Sequence, residues 1–256
     1  MASQDLLVAR DGPVLTLTLN RPEQRNSMSP DIVGGLSEQI AGAAAAGVRV
    51  VVITGAGDKA FCAGADLQSG KSFQYRPSPR APLADLLRIA RSSTVPLVAK
   101  INGTCVAGGM GLLGMCDIAI AAEHAKFGLP EVKVGVFPMQ VLAVLQDLIP
   151  RRRLVELCMT GELIPAQEAL ALGLLNRIVP AAELDAAVAK SVESLLAAAP
   201  TALARGKYAM AAAENMSFDE AIAFLEGQIG LQALTEDAKE GMAAFREKRK
   251  PQWPGK

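Results

Sequence analysis

The stretch from Asn102 to Glu131, NGTCVAGGMGLLGMCDIAIAAEHAKFGLPE, contains the residues on which the fold and chemistry of this chain depend. A glycine-rich turn, Ala107-Gly108-Gly109-Met110-Gly111, follows the apolar run Val95–Ile101 and is expected to open a helix. Glycines let backbone N–H groups approach a ligand closely. The stretch ends at Glu131, a single carboxylate among apolar and small residues. Burial raises the pKa of such an acid and suits it to carry a proton.

Composition excludes several classes of protein. With 256 residues the chain can form one full core, in one domain or one domain plus an appendage. Lys and Arg total 26, as do Asp and Glu, and this zero net charge argues against a nucleic-acid partner. No run approaches the roughly 20 apolar residues that cross a bilayer, so no membrane span is expected. The first residues, MASQDLLVARDG, carry charge where a signal peptide needs apolar residues.

The cysteines and the one histidine predict no metal site. Cys62, Cys105, Cys116 and Cys158 lie in apolar or small-residue contexts without C-x-x-C spacing, which favours reduced thiols in the core of a cytoplasmic enzyme. His124 has no second imidazole or nearby cysteine with which to share a metal ion. We therefore expect neither a structural nor a catalytic metal.

Hydrophobic periodicity predicts a mixed α/β core followed by helices. Two strands form a hairpin around Asp11-Gly12, and a helix capped by Ser29 is expected to reach Ala46. Further strands are predicted at Val48–Ile53, Val95–Ile101, Ile118–Ala121 and Arg177–Val179. Helices then follow at about 182–199, 201–216, 218–233 and 236–247. We expect this helical region to pack on a neighbouring subunit.

One alternative is a dinucleotide site. Gly109-Met110-Gly111-Leu112-Leu113-Gly114 matches G-x-G-x-x-G, follows a strand and opens a helix, and Glu131 lies twenty residues beyond Gly111. However, the acid of such a site should end the next strand, whereas Glu131 follows a proline. The match also comes after most of the predicted strands. A doubly wound sheet would support this alternative.

The other chemistry that the residues allow is backbone electrostatics plus one acid. No G-x-S-x-G or Cys–His arrangement is present, so a nucleophile triad is not expected. Ala63-Gly64-Ala65 and Ala107-Gly108-Gly109 each follow a strand and precede a helix, and their N–H groups could converge on one oxygen as an oxyanion hole. Both could equally be ordinary tight turns. From the residues alone, the hypothesis is an enolate-stabilising site with one proton carrier.

Several motifs, in order along nearly the whole chain, resemble the enoyl-CoA hydratase/isomerase (crotonase) family. They are Asn20-Arg21-Pro22-Glu23, Phe61-Cys62-Ala63-Gly64-Ala65-Asp66-Leu67, Asn102-Gly103 with the glycine turn, Met115-Cys116-Asp117, Phe127-Gly128-Leu129-Pro130-Glu131, Thr160-Gly161, Ala166 to Gly173 with Leu174-Leu175-Asn176, and Glu240 to Phe245 followed by Lys248-Arg249-Lys250-Pro251.

The resemblance implies an α/β fold in which ββα repeats wind into a spiral over residues 1–199, followed by a helical oligomerisation region over residues 200–256. Such helices build trimers, often paired as hexamers. The implied ligand is an acyl-CoA thioester, with no cofactor beyond the CoA of the substrate. The implied catalytic residues are Glu131 and the N–H groups of Ala65 and Gly108, which would hold the thioester oxygen. The implied substrate-binding residues are Arg25, Ser27, Ala63, Asp66, Leu67, Gln68, Phe245 and Lys248.

The carboxylates are expected to decide which reaction is catalysed. Hydratases of this family use two glutamates; Glu131 matches the second, and Gly111 stands where the first belongs. The segment from Val136 to Leu142 is also more apolar than the glycine-rich turn of hydratases. One glutamate in a dry pocket fits a Δ3–Δ2-enoyl-CoA isomerase, which moves one proton from C2 to C4. A 2-enoyl-CoA hydratase and a non-catalytic acyl-CoA binder remain alternatives.

Overall fold

Two β-sheets form the centre of the fold in the computed structural model, which describes residues 5–66 and 81–256. The six-stranded sheet has the order β1-β2-β3-β5-β7-β10, and the four-stranded sheet has the order β4-β6-β8-β9. The strands are β1 Leu6–Asp11, β2 Val14–Leu19, β3 Val50–Gly55, β4 Ala60–Cys62, β5 Leu97–Ile101, β6 Thr104–Val106, β7 Ile118–Ala122, β8 Lys126–Gly128, β9 Leu163–Pro165 and β10 Arg177–Val179.

The helices connect and cover these sheets. They are α1 Pro30–Gly42, α2 Pro82–Ser92, α3 Gly108–Gly114, α4 Leu142–Leu145, α5 Arg151–Thr160, α6 Ala166–Ala171, α7 Leu184–Ala197, α8 Pro200–Ala213, α9 Phe218–Ala233 and α10 Glu236–Glu247. Ser29 caps α1 as predicted, because its hydroxyl oxygen accepts a hydrogen bond from the Ile32 N–H at 3.3 Å. The helix ends at Gly42 rather than Ala46, since turns occupy the residues up to Gly47, which has a φ of 71°.

The chain alternates between the two sheets, and this alternation produces the predicted spiral. β3 of the large sheet leads to β4 of the small sheet, and β5 leads in the same way to β6 and then to α3. Apart from the β1–β2 hairpin, every pairing in the large sheet is parallel. β3 is buried along its whole length, as expected for a strand covered on both faces. The α/β spiral of ββα repeats is therefore confirmed.

The dinucleotide hypothesis is wrong because the large sheet is not doubly wound. Its parallel strands follow one another in chain order without the reversal that creates a nucleotide crevice. The glycines of the G-x-G-x-x-G match lie inside α3 and serve close packing. A Cβ on Gly109 would lie 2.5 Å from the Cys62 carbonyl oxygen, and one on Gly114 would lie 2.9 Å from a methyl group of Val144.

Two buried asparagines fix the loop between β3 and β4. Asn102 donates to the carbonyl oxygen of Gly57 at 2.7 Å and accepts from the Gly55 N–H at 3.1 Å. Asn26, which is fully buried, donates to the carbonyl oxygens of Ala56 and Ala60 at 2.9 and 2.7 Å. Because buried backbone groups need partners, these amides replace the missing strand hydrogen bonds. They align β4 with the end of the large sheet.

Asn102→Ala is expected to lower the free energy of unfolding by about 2–3 kcal/mol, because it leaves buried backbone groups without partners. Gln24→Ala, at an exposed position after β2, is the control, and its free energy of unfolding should stay within about 0.5 kcal/mol of the native value. Urea unfolding of the two variants measures the difference. An Asn102→Ala protein as stable as the control would contradict this account of the loop.

The helical region after β10 packs in two different ways. α7 packs on the large sheet through Leu184, Val188 and Val192. α8 and α9, by contrast, contain no buried residue. Exposed large apolar residues on this region include Tyr208, Met210, Phe218, Ile222, Ile229, Leu231, Leu234, Met242 and Phe245. The expected boundary near residue 199 and the oligomerisation of this region stay predictions.

The described helices include none with the length and apolarity that a bilayer span requires.

Candidate active site

Three parallel strands of the small sheet end at the same edge. β4, β6 and β8 are neighbours and run parallel to one another. Ala65 lies three residues after β4, Gly108 two residues after β6, and Glu131 three residues after β8. Since the carboxyl ends of parallel strands share one edge, the spiral brings together three groups that are far apart in sequence.

The turns after β4 and β6 touch through glycine. A Cβ on Gly64 would lie 2.7 Å from the Cβ of Ala107 and 3.2 Å from the nitrogen of Gly108. Gly64 also has a φ of 91°, which side chains disfavour. Ala107 has a φ of 53° and a ψ of −127°, an uncommon conformation for a residue with a side chain. Its N–H donates to the Gly128 carbonyl oxygen at 3.0 Å, which ties the second turn to β8.

The N–H groups of Ala65 and Gly108 are held next to each other. Met28 and Ala65 form a parallel bridge in which Gly64 and Asp66 supply the hydrogen bonds, so the Ala65 N–H points away from Met28. Gly108 is the first residue of α3, so its N–H has no partner within the helix. A Cβ on Gly108 would lie only 3.7 Å from the Ala65 nitrogen. Two such donors can bind one anionic oxygen.

Glu131 is a buried acid in the 3-10 turn Pro130–Val134. The residue is only 8% exposed, and its Oε2 atom has no hydrogen-bond partner among the described residues. Burial raises the pKa of the carboxyl above its usual value, and a hydrogen bond from its own backbone N–H opposes this in part. Burial and the nearby Glu131 charge also raise the pKa of the Cys158 thiol to about 11.

A mainly apolar cavity of about 370 Å³ lies between α4 and α5, and its wall also includes Gln146, Asp147 and Arg151. Cys158 lines this cavity together with Phe137, Leu142 and Leu154, and its thiol is close enough to Glu131 for the two groups to interact electrostatically. Glu131 itself is buried, and Cys158 is the residue that links it to the cavity wall. Such surroundings favour the neutral carboxyl over the carboxylate.

Glu131→Gln is expected to stabilise the folded protein at neutral pH by on the order of 1 kcal/mol, because it removes a buried charge without a partner. Folding raises the pKa of Glu131, so the stability that the protonated carboxyl contributes is fully present below the pKa of the unfolded state. Stability is then lost as the pH rises through the folded-state pKa. Thermal unfolding from pH 4 to pH 8 should show the advantage of the Gln variant growing with pH. A constant difference would contradict the raised pKa.

Comparisons with known proteins agree on one family. The family model described as enoyl-CoA hydratase/isomerase matches residues 9–256. The (E)-benzylidenesuccinyl-CoA hydratase of Thauera aromatica is 34% identical over 94% of this chain and 96% of its own length. Carnitinyl-CoA dehydratase of Salmonella arizonae is 33% identical over 99% of both chains. The crystal structure of enoyl-CoA hydratase from Bacillus anthracis superposes with a TM-score of 0.90, at 32% identity, over 99% of this chain and 100% of that one.

The chain belongs to the enoyl-CoA hydratase/isomerase family. The resemblance inferred from the sequence is confirmed, and the chain is an enzyme of this family, whose members act on acyl-CoA thioesters. The structure places the N–H groups of Ala65 and Gly108 and the side chain of Glu131 after three neighbouring strands of the small sheet. Their individual roles stay predictions.

Gly111 lies in an apolar environment. The family resemblance implies that hydratases carry a glutamate at this position. A Cβ at this position would lie 3.4 Å from a Val141 methyl group and 3.9 Å from a Leu87 methyl group. Both neighbours are buried. A polar side chain here would meet these hydrocarbon groups at distances of ordinary van der Waals contact.

Four of the predicted substrate-binding residues form two pairs of contacts: Ser27 and Asp66 both bond to Arg21, and Arg25 and Ala63 bond to each other. The Arg21 guanidinium donates to Asp66 Oδ2 at 2.9 Å and to the carbonyl oxygen of Ser27 at 3.0 Å. The Ala63 N–H donates to the carbonyl oxygen of Arg25 at 3.0 Å. The structure thus brings these residues together along the loop after β2. The side chains of Ser27 and Asp66 contact Arg21, while that of Arg25 is exposed.

The remaining predicted binding residues lie elsewhere. Leu67 and Gln68 are outside the described residues. Phe245 and Lys248 lie at the end of α10, which packs against α8 and α9, and Phe245 is 85% exposed. Phe245 lines a second cavity together with residues of α10. Arg21 and Met28 were not predicted to have a role, although Arg21 lies within one of the motifs that resemble the family.

Proposed function

We propose that the protein is a Δ3–Δ2-enoyl-CoA isomerase that acts on an acyl-CoA thioester. The observation that carries this proposal is the buried carboxylate of Glu131 at the shared strand edge, where the described carboxylate of Asp66 is paired with Arg21. The apolar side chains of Val141 and Leu87 around Gly111 add to it. An isomerase needs one proton carrier, because the proton it removes is returned to the same substrate.

The proposed reaction is a proton shift along three carbons. The Glu131 carboxylate removes a proton from C2 of a 3-enoyl-CoA, and the electron pair moves toward the thioester oxygen. The N–H groups of Ala65 and Gly108 stabilise the resulting dienolate. Protonated Glu131 then donates the proton to C4, and the C3=C4 double bond becomes C2=C3. The raised pKa of Glu131 supports this role, because it brings the acid closer to the substrate in proton affinity.

Hydration of a 2-enoyl-CoA is the second candidate, and the relatives favour it. Those described above include a hydratase and a dehydratase, as well as a solved enoyl-CoA hydratase. Against it, hydration requires water to be positioned and partly deprotonated. Gly111, which stands at the place of the first hydratase glutamate, supplies no acid and has hydrocarbon neighbours.

Turnover of two matched substrates separates these candidates. We expect the protein to convert trans-3-hexenoyl-CoA into the conjugated trans-2 isomer, and to hydrate trans-2-hexenoyl-CoA at least about 10²-fold more slowly, since one acid–base group is missing. Product analysis by liquid chromatography measures both rates. Fast formation of 3-hydroxyhexanoyl-CoA would support the hydratase instead. Binding of both thioesters without any product would contradict both candidates.

We further propose that the protein self-associates through its C-terminal helices, as a homotrimer or a dimer of trimers. The support is the set of large exposed apolar residues on α8–α10, because α8 and α9 have no buried residue. In such an assembly Phe245 and Lys248 could border the CoA site of a neighbouring copy. The four unpaired cysteines are consistent with a cytoplasmic location.

A further inference from the structure

Met28 contacts both of the turns that carry the two N–H groups. It is buried, and its backbone N–H donates to the Gly64 carbonyl oxygen at 2.7 Å. Its own carbonyl oxygen accepts from the Asp66 N–H at 3.2 Å. These two hydrogen bonds lie on either side of Ala65. The backbone of Met28 therefore fixes the first turn and the direction of the Ala65 N–H.

The side chain of Met28 reaches the second turn. A Cβ built on Gly108 would lie 2.5 Å from the ε-methyl carbon of Met28, so the methyl group already fills the space that a side chain would need. The other nearest atoms, Gly64 Cα and Ala65 N, lie at ordinary contact distances of 3.5 and 3.7 Å. The methyl group is therefore the main obstacle to a Cβ at this position.

We propose that Met28 is a positioning residue that sets the separation of the Ala65 and Gly108 N–H groups. This inference rests on the proposed function, in which both groups bind the thioester oxygen. Met28 reaches one turn through its backbone and the other through its side chain, so it acts as a spacer between them. Electrostatic stabilisation depends on donors held in place before the reaction, and a displacement of about 1 Å can cost about 10²-fold in rate.

Shortening the side chain should separate catalysis from binding. Met28→Ala is expected to lower kcat for 3-hexenoyl-CoA by about 10–100-fold, because the second turn loses its support. The affinity for free CoA should change little, since free CoA has no thioester oxygen for the two N–H groups to bind. Met28→Leu keeps most of the side-chain volume and should retain most of the activity.

A pair of substitutions tests the contact itself. Gly108→Ala alone places its Cβ against the Met28 methyl group, whereas in Met28→Ala/Gly108→Ala that Cβ enters the vacated space. We expect the double variant to have a higher kcat than either single variant. Gly109→Ala is the matched control, because its obstacle is the Cys62 carbonyl oxygen at 2.5 Å. Adding Met28→Ala to that variant should not restore activity.

The carbonyl stretching frequency of bound butanoyl-CoA, which has no double bond to move, reports the hydrogen bonds to the thioester oxygen. The native protein should lower this frequency, Met28→Ala should reverse most of the shift, and the double variant should recover it. A role in stability alone would leave the frequency unchanged.

Three results would overturn the inference. The first is a Met28→Ala variant with the native carbonyl frequency and the native kcat. The second is a double variant whose kcat is no higher than that of the less active single variant. The third is a native protein that does not shift the carbonyl frequency at all. If the native protein converts neither trans-3-hexenoyl-CoA nor trans-2-hexenoyl-CoA, the proposed function fails. The carbonyl frequency of bound butanoyl-CoA still tests whether Met28 positions the two N–H groups.

Discussion

Glu131→Gln is expected to lower kcat for isomerisation of trans-3-hexenoyl-CoA by about 10²–10⁴-fold, the usual contribution of a general acid–base group. The amide keeps the size and burial of the side chain but cannot remove a proton from C2. KM should change little, because the thioester oxygen is held by the backbone N–H groups of Ala65 and Gly108. Steady-state kinetics at neutral pH measure both constants.

Glu123→Gln is the matched control, since Glu123 is an exposed glutamate between β7 and β8. It should retain native activity. The Glu131→Gln protein should also be more stable than the native one at neutral pH, so loss of activity cannot be attributed to unfolding. Isomerisation that survives Glu131→Gln would remove Glu131 from the mechanism.

Gly64→Ala is expected to have the second largest effect, because it disturbs the contact between the two turns. Its Cβ would lie 2.7 Å from the Cβ of Ala107, and its φ of 91° is unfavourable for a side chain. The strained backbone alone costs about 1–3 kcal/mol. As the turns move apart, the Ala65 and Gly108 N–H groups no longer converge, and kcat should fall by about 10²–10³-fold.

Gly34→Ala provides the control for a glycine-to-alanine change. Gly34 is an exposed position inside α1 with no atom within 4 Å of an added Cβ. This substitution should raise the free energy of unfolding by about 0.5–1 kcal/mol and leave kcat unchanged. Urea unfolding and steady-state kinetics on both variants test the contrast. Native-like kcat in Gly64→Ala would show that the two turns need not touch.

The elements that could be predicted from the sequence are those with a strong local pattern. The β1–β2 hairpin, the Ser29 cap and β10 were predicted within a few residues, because alternation and capping are local properties. The three-residue strands β4, β6 and β9 were not assigned. They are too short to show a period, and neighbouring strands of the small sheet stabilise them.

The site could be predicted only in part without the family resemblance. The residues alone indicated an acid and two glycine turns, but their meeting depends on the parallel order of β4, β6 and β8, which is a property of the whole spiral. The contacts of Arg21 with Asp66 and of Met28 with Gly64 and Gly108 were not predicted. Their contacts are made to residues far away in sequence, and no local pattern encodes them.

The central claim is that buried Glu131 alone carries the proton. Transfer of a label from C2 to C4 of the substrate tests this claim most directly. The substrate is trans-3-hexenoyl-CoA with deuterium at C2, incubated in ordinary water and analysed by mass spectrometry and NMR. The account predicts that part of the deuterium appears at C4 of the trans-2 product, because Glu131 is shielded from solvent. Complete replacement by solvent hydrogen at C4, accompanied by 3-hydroxyhexanoyl-CoA as the main product, would contradict it.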